Sequence, residues 1–376
     1  MSTLNVEAIS HPTSGSNVTI NGITPASTNS LGLRNRIING DMRIDQRNAG
    51  AGVTASGAFP VDRFFILEAT DGAYSSQQSS LAPSGHSKSL YFTTTTADAT
   101  LASGQAVYVS HHIEGVNCED LAWGTASAKS VVLSFKVRSS LTGTFGGAVA
   151  NSARDRSYPF TYSISTADTW TDVSVAIPGD TSGTWLTDIS IGIRLTLGLG
   201  VASDLSGTAG AWSGADYRSA TSAVSVIGTL NATFRITGVQ LEAGTVATPF
   251  ERRSYGQELS LCQRYCWVSY TTNGNGGPLG TGAAYNATST QVALQLPVSM
   301  RTTPSATTVP NGSSVWCQSY VGASGATTNT APSIQSDQNN YQNLRLAIDG
   351  LSGMTAGQAT WTFTVANGKL ILSAEL

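Results

Sequence analysis

Short runs in which apolar and polar residues alternate, separated by clusters of Gly, Asn, Asp and Ser, recur along most of this 376-residue chain. Arg63 to Glu68, Ser89 to Thr93, Ala106 to Ile113, Ser130 to Val137, Tyr158 to Ile164, Asp172 to Ile177, Ser190 to Leu197 and Ala232 to Glu242 all have this form. A period of two puts one set of side chains on a core face and the other toward solvent, as a half-buried strand requires. No 3.6-residue period lies between these runs, which argues against βαβ units and for an antiparallel sandwich. Charged residues make up 11% of the chain, while Gly, Ser, Thr and Ala occupy the places that helices give to Lys and Glu. The expected class is all-β, with a jelly-roll sandwich over residues 34–250 and a second, C-terminal β-sandwich over 268–376. The strands expected in the second are Gln291 to Val298, Val315 to Val321, Asn343 to Ile348, Ala359 to Val365 and Leu370 to Ala374.

One segment breaks the pattern. Ser254 followed three residues later by Gln257 is a capping box, and it predicts one short linker helix over residues 251–267. Tyr255, Leu259, Cys262 and Cys266 then fall on one narrow stripe, which suits either a seam between copies of the chain about a threefold axis or packing onto the chain's own sandwich. Residues 1–33 are rich in Ser, Thr, Asn and Gly and too poor in apolar residues for a core, so they need a partner to be ordered. The Asn39-Gly40 pair within Asn35 to Ile44 predicts a hairpin turn between two short strands.

A formal net charge of -3 gives no basic field for nucleic acid or anionic lipid. No window approaches the ~20 apolar residues of a membrane crossing, and the first thirty residues lack the apolar core of a signal peptide. Cys118, Cys262, Cys266 and Cys317 are few and scattered and read as reduced thiols. His11, His86, His111 and His112 lack a second ligand type at metal spacing, so neither a metal site nor a cofactor is expected. Without a nucleophile elbow or phosphate loop, no catalytic residue is assigned, although Glu119 with Asp120, Asp168 with Asp172, and Asp62 with Glu68 are acid pairs of the kind a glycosidase uses. Glycan recognition needs flat aromatic rings beside planar polar groups. Candidates are Trp123, Trp170, Trp185, Trp212 and Tyr217 in the first sandwich, and Trp267, Tyr270, Tyr285, Trp316, Tyr320 and Tyr341 in the second. Of these, Trp123, Trp170, Trp212, Tyr217, Trp316, Tyr320 and Tyr341 are taken as ligand-binding candidates, with core packing as the alternative for each.

Three stretches together resemble a family of phage virion proteins, the tail fibres: Asn35 to Asn48 (NRIINGDMRIDQRN), Gly238 to Gly244 continuing through Thr248-Pro249-Phe250-Glu251-Arg252-Arg253, and Tyr255 to Tyr265. The resemblance implies a homotrimeric fibre or receptor-binding protein with a carbohydrate-binding-module-like jelly roll. It also implies attachment of residues 1–33 to a tail or baseplate protein and a C-terminal tip turned to a host-surface glycan such as lipopolysaccharide. Such a protein is assembled in the host cytoplasm, resides in the virion tail, inserts in no membrane and breaks no bond. Two other readings use the same modules: a capsid fibre or head decoration protein, and a glycan-cleaving tailspike depolymerase.

Overall fold

The alternating runs form strands in a computed structural model of the chain, which describes residues 34–269, 276–310, 314–321, 324–335 and 341–376. In chain order the first part supplies β1 (Phe64–Ala69), β2 (Ala73–Ser79), β3 (Ser89–Thr96), β4 (Ala106–Glu114), β5 (Val131–Ser139), β6 (Gly143–Ala150), β7 (Ser157–Ile164), β8 (Thr171–Ile177), β9 (Ile191–Val201), β10 (Ser206–Gly207), β11 (Ser219–Ala220) and β12 (Thr233–Ala243). Two five-stranded sheets result, with orders β1-β4-β9-β6-β7 and β2-β3-β12-β5-β8, and neighbours in both are antiparallel. Between them lies a core that β5 enters with Val131, Leu133, Phe135 and Val137, and β9 with Ile193, Leu195, Leu197 and Leu199. Strand β12 carries a bulge between Thr237 and Gln240. The extra residue switches the parity, so Phe234 and Ile236 before it and Val239 and Leu241 after it all reach the same core.

After β12 come α1 (Tyr255–Gln263), β13 (Cys266–Val268), β14 (Pro278–Asn286), β15 (Ser289–Gln295), β16 (Ser305–Val309), β17 (Cys317–Val321), β18 (Ser324–Thr328), β19 (Ser333–Ile334), β20 (Asn343–Ile348), β21 (Ala359–Thr364) and β22 (Lys369–Ser373). A seven-stranded sheet, β18-β17-β21-β14-β15-β20-β19, shares a core with a three-stranded sheet, β13-β22-β16. Val292, Leu294, Leu346 and Ile348 come from the larger sheet, Leu370 and Leu372 from the smaller, and Trp316 is fully buried among them. Buried hydroxyls in this core pair with one another, Thr290 with Thr360 at 2.7 Å and Ser319 with Thr362 at 2.7 Å, which removes the cost of leaving them unsatisfied.

Two local expectations are corrected. The Asn39-Gly40 segment is a turn without strands, because side chains take the place of a partner strand. Asn35 donates to Val239 O at 3.0 Å and accepts from the amides of Ile37 and Leu241. Asn39, in the left-handed region at φ 59°, donates to Ile44 O and Asp62 O and accepts from Ile44 N. Gly40 packs so closely on β12 that a Cβ there would lie 2.1 Å from Val239 O. The helix is also shorter than the predicted segment. Ser254 caps it by accepting from Gln257 N at 3.3 Å, it ends at Gln263, and Cys266 and Trp267 already belong to β13, paired with β22. Its stripe turns inward: Cys262 and Tyr265 form a small core with Ile38 and Ile44 of the turn, and Leu259, Leu261 and Leu376 pack against it.

The junction between the two sandwiches is charged and buried. Glu114, at the end of β4 and 1% exposed, accepts from Arg264 Nε at 3.0 Å, Arg264 Nη2 at 2.6 Å and Tyr265 Oη at 2.7 Å. The Arg63 guanidinium lies 3.6 Å from the centroid of the Tyr265 ring and pairs with Glu375. Glu375 also meets Arg47 at 2.9 Å, and Arg301 donates to the carbonyls of Ala374 at 2.8 Å and Glu375 at 2.9 Å. Glu258 on the helix accepts from Asn39 N at 2.5 Å and from Arg253, tying α1 to the turn.

Candidate functional site

The outward face of the seven-stranded sheet places aromatic rings beside planar polar groups. Strand β21 reads Ala-Thr-Trp-Thr-Phe-Thr, and its threonines point inward to the hydroxyl pairs while Trp361 and Phe363 point out. Trp361 is 55% exposed and Phe363 half-buried, with ring centroids 4.6 Å apart. On β17, Tyr320 sits directly opposite Trp361 and 6.1 Å from the Phe363 ring, edge to face. Three large rings so arranged form a contiguous apolar patch rather than scattered exposed residues.

On the other side of Trp361 the sheet continues through Thr281 on β14, then Ala293 on β15 and Arg345 on β20. A groove of about 660 Å³ runs here, floored by Ala283 and Ala293 and flanked by Gln291, Gln295, Asn343 and Arg345. Beneath this floor Gly282, in register with the core-facing Thr360 and Val292, lies so close to β15 that a Cβ would stand 1.7 Å from Gln291 O. From β17 to β20 are four strand intervals, or about 19 Å at ~4.8 Å each. The amide groups of Gln291, Gln295 and Asn343 make no hydrogen bond among the described residues, and neither does the Trp361 indole N–H. Arg345 is the one charged residue on the described part of this face. A saccharide fits such a surface chemically, since its C–H faces cover aromatic rings and its hydroxyls use planar amides.

Of the residues singled out from the sequence, Tyr320 stands on this face. Tyr341 lies half-buried against the second core. Trp316 is corrected from ligand candidate to core residue: it has no exposed surface, and its N–H donates to Thr330 O at 2.8 Å. Trp267 packs on the second core from β13, Tyr285 stands 67% exposed at the end of β14, and Tyr270 lies outside the described residues. Trp361 and Phe363 are absent from the sequence candidates, since a Trp-x-Phe alternation within a strand is the ordinary pattern of a core face. The signal that identifies them is the Thr360, Thr362 and Thr364 series in the opposite phase.

In the first sandwich Trp123 and Trp212 do come together, with Trp185, at mutual centroid distances of 4.6 to 5.5 Å. Their indole N–H groups donate to Lys129 O, Pro178 O and Ser182 O respectively for Trp123, Trp212 and Trp185. Because these rings pack on one another with their polar ends engaged, the cluster serves the sandwich core, and a cavity of about 380 Å³ opens beside Trp123 and Trp185. Glu119 lines that cavity, whereas its sequence neighbour Asp120 pairs with Arg36 at 2.7 Å. Asp168 pairs with Arg138 and Asp172 with Lys136 on the outer surface, and Asp62 is buried at the junction. Trp170 is half-buried before β8, and Tyr217 is half-buried against Gly207, where a Cβ would meet its ring at 2.2 Å. For the helix stripe, Cys262 and Cys266 are fully enclosed by the chain itself, leaving Tyr255, 55% exposed, and half-buried Leu259 with surface to offer another copy. Among the described residues no group of three or more His, Cys, Asp and Glu is arranged to hold a metal ion.

No protein-family model matches this sequence, and no curated protein matches it. Among solved structures, the enzymatically active domain of bacteriophage CBA120 tailspike protein 4 is similar at 11% identity and a TM-score of 0.32, over 56% of this chain and 22% of that one. A putative sugar-binding protein from Bacteroides thetaiotaomicron is similar at 12% identity and a TM-score of 0.32, over 56% of this chain and 100% of that one. TmCBM61, solved with β-1,4-galactotriose, is similar at 11% identity and a TM-score of 0.27, over 56% of this chain and 99% of that one. The chain spans under a quarter of the tailspike domain.

Proposed function

We propose that this chain is a non-enzymatic, glycan-binding fibre protein of a phage virion, which reads saccharides on the host surface with the outward face of its seven-stranded sheet. The observation that carries the reading is the exposed Trp361, Phe363 and Tyr320 patch, continuous with a groove edged by unengaged amides. The tail-fibre resemblance of residues 35–48, 238–253 and 255–265 supports the virion setting. In that setting the chain is a homotrimer that residues 1–33 attach to a tail or baseplate protein, and three faces act together. Linking three weak sites raises avidity by about 10²- to 10⁴-fold without any new contact.

The test is retardation of the full chain in native gels containing polysaccharide extracted from the host envelope, run beside Trp361→Ala and Trp123→Phe. Removing a stacking ring costs about 1–2 kcal/mol, so Trp361→Ala should weaken retardation roughly tenfold. Trp123→Phe should leave it unchanged. Equal retardation of Trp361→Ala and the parent chain would reject the sheet face as the site.

A further inference from the structure

A second feature lies on the first sandwich, far in sequence from the aromatic face. Although the chain is poor in charge and carries a formal net charge of -3, three guanidinium groups gather on the outer side of the β4-β9-β6 sheet against one carboxylate. Arg154 Nη1 and Arg218 Nη2 share Asp216, at 3.2 and 2.9 Å, and both guanidinium groups lie near the Tyr108 ring, at 5.9 and 5.7 Å from its centroid. The third, Arg194, is half-buried and has no carboxylate within ion-pair distance among the described residues. Its contacts are Ser152 O at 3.2 Å from Nε and His112 Nε2 at 2.9 Å from Nη1.

His112 does not compensate this charge. An arginine is always a donor, so His112 Nε2 is the acceptor, and the imidazole proton sits on Nδ1, 3.0 Å from Leu376 O. The ring is therefore neutral. Asp204, the other carboxylate whose field reaches Arg218, accepts instead from Ser103 Oγ at 2.8 Å and Gly104 N at 2.9 Å. Arg218 Nε is buried without a hydrogen-bond partner, and Arg194 Nη2 makes no hydrogen bond among the described residues. Burial and the fields of Arg154 and Arg218 press Arg194 down to about 10, far below an ordinary guanidinium. A half-buried cation among like charges costs free energy that a bound anion recovers.

We infer that Arg154, Arg194 and Arg218 form an oxyanion-binding site for a phosphate monoester, with Tyr108 as a ring beside it. Arginine forks match phosphate oxygens by shape as well as charge, and this is the chemistry for which guanidinium clusters suit best. The site is separate from the sheet face and stands or falls independently of the glycan reading, so Trp361→Ala should leave it intact.

The experiment is thermal unfolding of the full chain with inorganic phosphate, glucose 6-phosphate or glucose, at ionic strength held constant with chloride. Phosphate and glucose 6-phosphate should each raise Tm saturably, and glucose should not. Arg194→Gln should abolish the rise, and Arg218→Gln should shift the half-saturating concentration upward about tenfold. If Arg194→Gln fails to fold, the shift in Arg218→Gln alone decides. Tighter binding of glucose 6-phosphate than of phosphate assigns the site to a sugar phosphate, and equal binding assigns it to the anion alone; either upholds it. No saturable rise, a rise that both variants keep, or a phosphate-insensitive chain that self-associates on light scattering, with a second copy's carboxylate on these arginines, would overturn it.

Discussion

Lowering the pH from 7 to 5 should destabilise this chain through two adjacent histidines on β4. His111 is 1% exposed and His112 is 4% exposed. Burial first, then the Arg63 charge for His111 and the Arg194 charge for His112, disfavour the imidazolium form; His111 is held well below the usual range and His112 is brought down to about 3. For a histidine whose folded value lies below its unfolded one of ~6.5, stability is fully present above pH 6.5 and is lost as pH falls toward the folded value. At pH 5, about 1.5 units below the unfolded value, each histidine removes about 2 kcal/mol. Asp62 acts in the opposite direction. Burial raises it to about 6 despite Arg47 at 3.5 Å, so the folded state gains protons more readily than the unfolded one and acid relieves the cost of its charge. Between pH 6 and pH 5 that relief is about 1.4 kcal/mol. The histidines win, and the net loss is about 2–3 kcal/mol, a large part of a typical domain stability. Urea unfolding at pH 7 and pH 5, followed by tryptophan fluorescence, measures it. His112→Gln can accept from Arg194 through its carbonyl and cannot become charged, so it should flatten the pH response by about 2 kcal/mol. A parent chain equally stable at both pH values, or a variant with the full parental response, would refute the reasoning.

Glu114→Gln leaves Arg264 and Tyr265 facing a neutral group in a buried junction, and should cost about 3 kcal/mol in chemical denaturation. Gly40→Ala drives a methyl into Val239 O and should lower Tm well beyond Gly57→Ala, which meets open space and only the strain of a positive φ. Ser254→Ala removes the acceptor for Gln257 N and should cost about 1 kcal/mol, read from the same unfolding curves. All four cysteines are buried and free, and burial pushes the thiols of Cys118 and Cys317 up to about 12, so iodoacetamide should label them only after denaturant is added.

Strands such as β5 were legible because Val131, Leu133, Phe135 and Val137 occupy every second position and pack into one core. The start of α1 was equally plain from Ser254 and Gln257. What misled was any place where side chains replaced backbone partners or where the sheet inverted the usual pattern. Asn35 and Asn39 complete hydrogen bonds that a hairpin would have made between strands, so the Asn-Gly signal marked a turn and no ladder. On β21 the buried face is threonine and the exposed face aromatic, because Ser319 on the adjacent β17 and Thr290 on β15, one strand beyond β14, satisfy the hydroxyls. Trp316 shows the converse, an aromatic that reads as a ligand candidate and is fully buried.

The stretches that carry the tail-fibre resemblance converge on one place. Asn35, Asn39 and Gly40 clamp the turn to β12, Glu251 and Gln240 bond to Asn35 N and Glu251 N respectively, and Arg253 and Glu258 join α1 to the same turn. Arg264 and Tyr265 then fasten the helix end to Glu114. Most of these residues are buried polar groups, and several have partners far along the chain, 204 positions for Asn35 and Val239 and 219 for Asn39 and Glu258, so each constrains several others at once. None of them touches the sheet face of Trp361, the Arg194 cluster or the cavity beside Trp185. What the motifs specify is therefore how a β-sandwich is joined to the domain that follows it. On the glycan reading proposed above, ligand choice would rest on residues outside every motif, Tyr320, Trp361, Phe363 and the amides of the groove, which take no part in the hydrogen bonds of the junction.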